Sequence, residues 1–143
     1  MKKFCIFLIL IFFPGCGFES VYSSKNFLFE IGKINYEESK LNRQIVRSLN
    51  TISNKNAKKI LDIDLKSTKE KRIISKTKAG DPEIFELEIS VEVEVLGNQK
   101  IFTNKQNFNN NDNKFQLNQY EKEVEDQLVT EIIDDILIYL TKI

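Results

Sequence analysis

The chain has 143 residues, enough for one globular domain and too few for two of ordinary size. Hydrophobic residues make up 41% of it, and 21 basic side chains balance 21 acidic ones. This balance lacks the basic field that nucleic-acid binding requires, so we expect no nucleic-acid partner. The chain contains no histidine, which excludes a histidine general base, a serine–histidine triad and a histidine-ligated zinc site.

The first fifteen residues have the order of a secretory signal peptide. Lys2 and Lys3 precede a ten-residue apolar run, residues 4–13, and Pro14-Gly15 follow it. As a helix this run is about 15 Å long, roughly half the hydrocarbon core of a bilayer. We therefore expect a cleaved leader at residues 1–15; an uncleaved anchor helix or a buried apolar strand is the alternative.

A small residue directly before a cysteine, here Gly15 before Cys16, resembles the cleavage box of bacterial lipoproteins. We predict that Cys16 becomes the mature N-terminus and is acylated on its thiol and its amine. Each buried methylene contributes about 0.8 kcal/mol, so two or three acyl chains would hold the protein at a membrane almost permanently. Residues 16–24 are then a lipidated tether, and residues 25–143 form a single domain.

The other residues near this box add two expectations. Cys5 is lost with the leader, so the mature chain would have no internal disulfide. The second residue of the predicted mature chain is Gly17 and not an aspartate. By resemblance to other lipoproteins, this favours the outer membrane over the inner one.

The first half of the mature chain predicts a strand, a helix and further strand. Residues 26–35 are apolar and β-prone. Residues 37–54 have helical spacing, with Glu37 and Glu38 expected in the first turn. The apolar stripe of this helix comprises Leu41, Ile45, Leu49 and Ile52.

The pattern after this helix leaves one question open. Residues 59–65 alternate between apolar and acidic side chains, residues 66–71 are polar, and residues 72–76 regain strand character. One long bulged strand and two separate strands both fit. Residues 79–82, Ala-Gly-Asp-Pro, predict a turn.

Residues 83–96 carry the clearest pattern in the chain, a period of two that predicts a strand with one dry and one wet face. Gly97-Asn98 predicts a turn, and residues 100–108 predict the hairpin partner. The polar residues 109–114 predict a loop. The dry face comprises Phe85, Leu87, Ile89, Val91, Val93 and Val95, and the wet face Glu86, Glu88, Ser90, Glu92 and Glu94.

Residues 116–143 predict a long terminal helix with an apolar residue at every fourth place from Tyr120 to Leu140. The element order is therefore strand, helix, two or three strands, a last strand and a helix. Two amphipathic helices are available to cover one sheet face. We predict an α+β fold, a two-layer sandwich with both helices on one face of a mostly antiparallel sheet of about four strands.

The glutamates of the wet face have two interpretations. They form a surface for a ligand or partner, or they are a solvated face balanced by cations on neighbouring strands, such as Lys66 or Lys105. A glycosidase-like pair requires one carboxyl in an apolar pocket, which an alternating wet face does not supply. No catalytic residue is predicted.

Two further clusters contain the charged side chains that ion binding needs. Asp62, Asp64 and Asp112 lack the spacing and glycine of a calcium loop, so no metal or other cofactor is predicted. The basic residues between positions 66 and 78 are either a solvated strand or contacts for anionic phosphates. The candidate contacts are Lys66, Lys69, Lys71 and Arg72.

Three segments together resemble the LptE family of lipopolysaccharide-assembly lipoproteins, in its alphaproteobacterial form. Residues 15–18, Gly-Cys-Gly-Phe, are followed by Val21-Tyr22 as at the start of that family. Residues 41–49 (LNRQIVRSL) look like its first helix, and residues 120–132 after Phe115 look like its terminal helix. The order of elements and the length agree with the family across the mature chain.

The resemblance implies a lipoprotein without catalytic activity, anchored through Cys16 at the periplasmic face of the outer membrane. It implies that the protein plugs and helps to assemble the outer-membrane β-barrel LptD. Together the two proteins would insert lipopolysaccharide into the outer leaflet, and the basic residues from Lys66 to Arg72 would contact its phosphates. The alternatives are another lipid-anchored adaptor, such as a barrel-assembly accessory lipoprotein, and a periplasmic hydrolase.

Overall fold

The computed structural model describes residues 27–55 and 57–143. The predicted leader, Cys16 and the tether 16–24 lie outside these residues. The described part contains four strands and two helices. They are β1 (Phe29–Tyr36), α1 (Lys40–Ile52), β2 (Lys59–Lys76), β3 (Pro82–Val95), β4 (Asn98–Asn109) and α2 (Lys114–Leu140).

The strands form one sheet in the order β1-β2-β3-β4. β1 and β2 are parallel and joined through α1, whereas β2, β3 and β4 form an antiparallel meander. Both helices pack on the same face of the sheet, α1 against β1 and β2, and α2 against β3 and β4. The predicted α+β fold is confirmed, and the strand order, which the sequence had left open, follows chain order.

Residues 59–76 form a single strand. The register with β3 runs without interruption from Asp64 to Ile73, and irregularities occur only between Ile73 and Lys76. The polar residues 66–71 remain in the sheet because each of them is paired with a residue of β3, which supplies hydrogen-bonding partners for their backbone. The structure therefore decides for one long strand, whose last residues are irregular.

The turn between β3 and β4 lies one residue earlier than predicted. Val95 pairs with Asn98, so Leu96 and Gly97 are the two turn residues. Both have positive φ, 52° for Leu96 and 76° for Gly97. A two-residue hairpin turn with positive φ at both positions matches the twist of the flanking strands, and this requirement outweighs the preference of leucine for negative φ.

The predicted first turn of α1 is also corrected. The helix begins after Ser39, whose hydroxyl accepts a hydrogen bond from the backbone N–H of Asn42 at 3.0 Å. Glu37 and Glu38 therefore precede the helix. Ser39 is its N-cap, and the serine hydroxyl satisfies one of the free N–H groups of the first turn in place of an acidic side chain. Asn113 caps α2 in the same way, accepting from the N–H groups of Phe115 and Gln116.

The hydrophobic core fills the space between the sheet and the helices. The odd-numbered residues of β2 and β3 face it, and Leu87, Ile89, Val91 and Val93 have no exposed surface. The stripe of α2 is confirmed from Val124 to Leu140, whereas Tyr120 is 45% exposed and Ile143 lies beyond the helix. Two polar side chains of the described residues, Asn42 and Glu125, are also buried. The Asn42 amide donates to the Glu37 carbonyl, and its oxygen accepts from the Ser67 hydroxyl.

Candidate functional site

The sheet face away from the helices, called here the open face, carries the glutamates predicted to be its wet side. β3 lies between β2 and β4, so its outward side chains have neighbours on both flanks. Glu86 is in register with Arg72 and Asn107, and Glu88 with Glu70 and Lys105. The open face therefore carries both acidic and basic side chains, and Glu86 and Glu88 each have neighbours on β2 and on β4.

Arg72 is the centre of this array. Its guanidinium donates hydrogen bonds to Glu86 at 2.8 Å and to Glu88 at 2.6 Å, and it lies 3.9 Å from Glu70. Lys105 approaches Glu86 from β4 at 3.4 Å. The contact of Lys105 with Glu86 agrees with the solvated-face interpretation. Arg72, which the sequence left open as a phosphate contact or a solvated strand residue, makes the shorter contacts with the glutamates.

The pKa of Glu86 shows what this arrangement can do chemically. Burial of the carboxyl opposes ionisation, but the hydrogen bonds and charges of Arg72 and Lys105 outweigh burial and hold the pKa of Glu86 below its ordinary value. A general acid needs a raised pKa. The electrostatics of Glu86 therefore favour a structural ion pair over proton transfer.

Hydrogen bonds within the chain also engage several other polar groups of the open face. Ser90 and Thr103 hydroxyls lie 2.8 Å apart, and Asn35 donates to Asp64 at 2.7 Å. Asp62 accepts from the Lys33 backbone N–H at 2.8 Å, and Gly32 beside it leaves no room for a side chain, since an added Cβ would lie 2.5 Å from that carboxylate. Asp62 and Asp64, two of the three aspartates of the calcium hypothesis, thus accept hydrogen bonds from the neighbouring strand β1.

No group of three or more metal-binding side chains occurs among residues 27–55 and 57–143. Asp112 lies in the loop between β4 and α2, outside the strand that carries Asp62 and Asp64. Asp62 and Asp64 therefore accept separate hydrogen bonds, and Asp112 does not lie on their strand.

The basic residues of β2 are divided between the two faces of the sheet. Lys69 and Lys71 point toward α2, where their ammonium groups pair with Glu125 at 2.8 Å and Glu121 at 2.6 Å. Lys71 also lies over the Phe85 ring, 4.3 Å from its centroid. This division follows from the period of two along a strand. Side chains at the odd positions 69 and 71 point to one side of the sheet, and those at the even positions 66 and 72 point to the other.

Lys66 is the one member of the four candidate contacts with no ion pair in the described part of the chain. It lies on the open face, in register with Glu92, at the border of two shallow depressions of about 350 and 330 Å³. Glu94 and Asp64 line the first depression as well. Acids thus surround Lys66, and the four candidates do not form one basic patch.

A basic groove lies between the two helices, and the sequence analysis did not identify it. The groove encloses about 570 Å³, and its lining comprises Lys40, Arg43, Gln44, Arg47, Ser48, Lys122 and Asp126. The spacing of positions 40, 43 and 47 places three cations on one helix face, a signal visible in the sequence. That α2 adds Lys122 beside them was not visible, because it depends on how the helices pack.

A second cleft lies where the described chain begins. It encloses about 440 Å³ between the start of β1 and the end of α2, and Leu28 and Ile143 on its wall are 88% and 37% exposed. Lys59 and Lys142 lie beside them. Neither helix of the described residues combines the length and apolar character that crossing a membrane requires.

Comparison with known proteins supplies the family. The model of the family described as LptE, lipopolysaccharide-assembly, matches residues 29–140. No curated protein sequence matches the chain.

Several solved structures share the fold. The uncharacterized lipoprotein B from Nitrosomonas europaea superposes with a TM-score of 0.64 at 18% identity, covering 87% of this chain and 90% of that one. The rare lipoprotein B from Shewanella oneidensis does so with a TM-score of 0.62 at 13% identity, covering 78% and 94%. A putative lipoprotein from Caulobacter crescentus gives 0.55 at 12% identity, covering 80% and 88%. The match of the family model over most of the domain shows that the chain belongs to the LptE family of lipopolysaccharide-assembly lipoproteins.

Proposed function

We propose that this protein is the lipid-anchored partner of the outer-membrane barrel LptD and acts with it in placing lipopolysaccharide in the outer leaflet. Membership of the LptE family, over residues 29–140, carries the proposal. The family acts in lipopolysaccharide assembly without catalysis, and its lipoproteins are associated with the periplasm and the outer membrane.

The shape of the domain suits a plug. α2 has 27 residues and is about 40 Å long, and four strands about 4.8 Å apart give a sheet roughly 15–20 Å wide. Small barrels are filled by their own side chains, whereas barrels of about 22 strands have a lumen that holds a separate plug. A two-layer body of this size would fit only inside a barrel of the largest class.

The surface chemistry of the domain supports the same role. The interior of a large outer-membrane barrel is polar. The open face offers ion pairs such as Arg72–Glu86 and hydrogen bonds such as Ser90–Thr103. Such a polar face can lie against a hydrated wall, because most of its charged contacts are made within the chain and water reaches the rest.

The end of the domain where the chain enters supports attachment to a membrane. Leu28 is the second described residue, and it shares its cleft with Ile143 and two lysines. Exposed aliphatic side chains beside lysines suit the boundary between lipid tails and anionic headgroups. Acyl chains on Cys16, eleven residues before Phe27, would hold this end within about 40 Å of the bilayer.

The test is affinity purification of the mature lipoprotein from membranes in mild detergent, with mass spectrometry of what co-purifies. We expect a large outer-membrane barrel in stoichiometric amount, and loss of that barrel when the lipoprotein is depleted. Capture of a barrel-insertion complex instead would favour the alternative of an accessory adaptor. Recovery of no barrel at all would contradict the proposal.

A matched variant tests the anchor separately. Cys16→Ala removes the thiol that would be acylated while leaving residues 27–143 unchanged. We expect the parent protein to carry diacylglyceryl and acyl groups on Cys16 by mass spectrometry and to sediment with membranes, and the variant to carry neither group. An unmodified N-terminus on the exported parent protein would refute lipid anchoring.

A further inference from the structure

We infer that the groove between α1 and α2 binds the phosphate groups of an anionic glycolipid headgroup. This inference rests on the proposed function for the identity of the lipid, and on the described residues for the site. It locates the anion-binding surface on the helix layer, on the opposite side of the molecule from Arg72 and Lys66.

The charge of the groove is the first argument. Four cations and one carboxylate line it. Helix α1 has no acidic residue at all, so nothing on that helix offsets Lys40, Arg43 and Arg47. The arrangement concentrates positive charge in a concave space, where the surrounding protein strengthens its attraction for an anion.

The pairing of these cations is the second argument. Within the described residues, Lys40, Arg47 and Lys122 make no ion pair, and Arg43 pairs only with Glu38, at 2.9 Å. Both arginine and glutamate of that pair are more than half exposed, so the pair is weak and its arginine is available. The cations of β2 at positions 69, 71 and 72, by contrast, are engaged by acids.

The geometry of donors favours phosphate. Arginine forks bind phosphate oxygens in pairs, and lysine adds a point charge. Arg43 and Arg47 lie one turn apart on α1, and Lys122 faces them from α2. A phosphate ester has three oxygens that can reach donors on both helices together, with the Ser48 hydroxyl as a neutral donor.

Asp126 is the one group in the groove that opposes an anion. Its carboxylate accepts a hydrogen bond from the Gln44 amide at 2.8 Å, which ties it to α1 at the edge of the cation cluster. Three unpaired cations outnumber it. The net charge of the lining therefore still attracts a dianion.

The experiment measures binding of the full acylated protein, already anchored by its acyl chains in neutral phosphatidylcholine nanodiscs, to phosphatidylcholine vesicles that contain lipid A or enzymatically dephosphorylated lipid A. Inorganic phosphate alone is a third arm. We expect binding only to the phosphorylated vesicles, weakening with added salt. Equal binding to both vesicle types would overturn the inference, and so would binding of inorganic phosphate as tight as that of lipid A.

The variant Arg47→Ala/Lys122→Ala removes two cations that have no partner within the described residues, so the fold is expected to be unchanged. We expect its affinity for lipid A vesicles to fall by at least about tenfold. The variant Lys33→Ala/Lys58→Ala removes the same charge from exposed sites outside the groove and should bind within about twofold of the parent. Equal loss in both variants would contradict a specific site.

One further measurement separates this inference from the proposed function. Barrel capture by Arg47→Ala/Lys122→Ala should equal that of the parent protein. Loss of the barrel in this variant would show that the groove contacts protein, which would overturn the lipid assignment. Failure of the parent to capture a barrel would refute the proposed function while leaving the vesicle result to decide the groove.

Discussion

The ammonium of Lys69 lies 2.8 Å from the carboxylate of Glu125, and this pair joins the middle strand β2 to helix α2. Glu125 is 7% exposed, whereas the Lys69 side chain is 40% exposed. The lysine therefore reaches from the solvent side to neutralise an acid at the edge of the core. Lys69, which the sequence left open as a phosphate contact or a solvated strand residue, is thus paired with an acid of the same chain.

Replacing Lys69 by methionine is expected to lower the free energy of unfolding by about 1–2 kcal/mol, because it leaves a nearly buried carboxylate without its partner. The cost is below that of a fully buried pair since water still reaches the lysine side. Urea unfolding followed by circular dichroism measures it. The double variant Lys69→Met/Glu125→Leu should recover most of the loss; a double variant as unstable as the single one would contradict this explanation.

The turn residue Leu96 offers a stabilising change. It holds a φ of 52° and is 66% exposed, so its side chain gains little from packing while its backbone is strained. Leu96→Asn places the residue preferred before glycine in such turns and should raise the free energy of unfolding by about 0.5–1 kcal/mol. Leu96→Ile, branched at Cβ, should lower it. Thermal unfolding of both variants checks the prediction, and a stabilised isoleucine variant would disprove it.

The contact between Arg72 and Glu86 predicts a pH effect. The pKa of Glu86 lies below its ordinary value of about 4.5, so the ionised carboxylate stabilises the fold above that pH. This stabilisation is lost as the pH falls through the lowered pKa. Arg72→Ala should raise the pKa of Glu86, since burial then acts against Lys105 alone. NMR titration of the carboxyl carbon measures this.

The control for this titration is Glu70→Gln. Glu70 lies near Arg72 but makes no contact with Glu86, so its removal should leave the pKa of Glu86 low. An unchanged Glu86 titration in Arg72→Ala would show that another group holds the carboxylate ionised.

The pKa of Asp134 is shifted in the opposite direction to that of Glu86. Burial, and then the charge of Asp135, raise the pKa of Asp134 above its ordinary value of 3.8. The folded state thus holds this proton more tightly than the unfolded state, so stability is lost as the pH rises through the interval between the two pKa values. Asp134→Asn should be more stable than the parent near neutral pH, by up to about 0.5 kcal/mol.

Comparing unfolding curves near pH 7 and near pH 3 isolates the effect. The gain from Asp134→Asn should disappear at the lower pH, where the parent carboxyl is protonated. Asp135→Asn, at an exposed site, removes only the repulsion and should give a smaller gain. A loss of stability at neutral pH in Asp134→Asn would contradict the predicted sign.

Periodic patterns predicted most of this fold correctly. The alternation from Phe85 to Val95 and the spacing of residues along α2 identified the elements, because each pattern reports which side of one element is buried. The errors fell at element ends. A serine cap moved the start of α1 past Glu37, and the twist of the hairpin moved the turn from Asn98 to Leu96.

The candidate site was harder to predict. Lys66, Lys69, Lys71 and Arg72 read as one basic cluster along the chain. Their contact with lipopolysaccharide stays a prediction, but the sheet divides them between two faces, and Glu86, Glu121 and Glu125 engage three of them. The acids come from a neighbouring strand and from a helix far along the chain, so no local sequence pattern could predict these ion pairs.

The sequence by itself determined that the domain consists of strands and helices that each have one apolar side, and the leader and the acylated cysteine at position 16 stay predictions. Only the tertiary structure decided which charges remain unpaired. Whether a cation is free depends on the acid that packs beside it, and that partner is chosen by the order of strands and the placement of helices. For this reason a cluster of cations without ion pairs among the described residues lies between α1 and α2, where two segments about 80 residues apart in the chain meet.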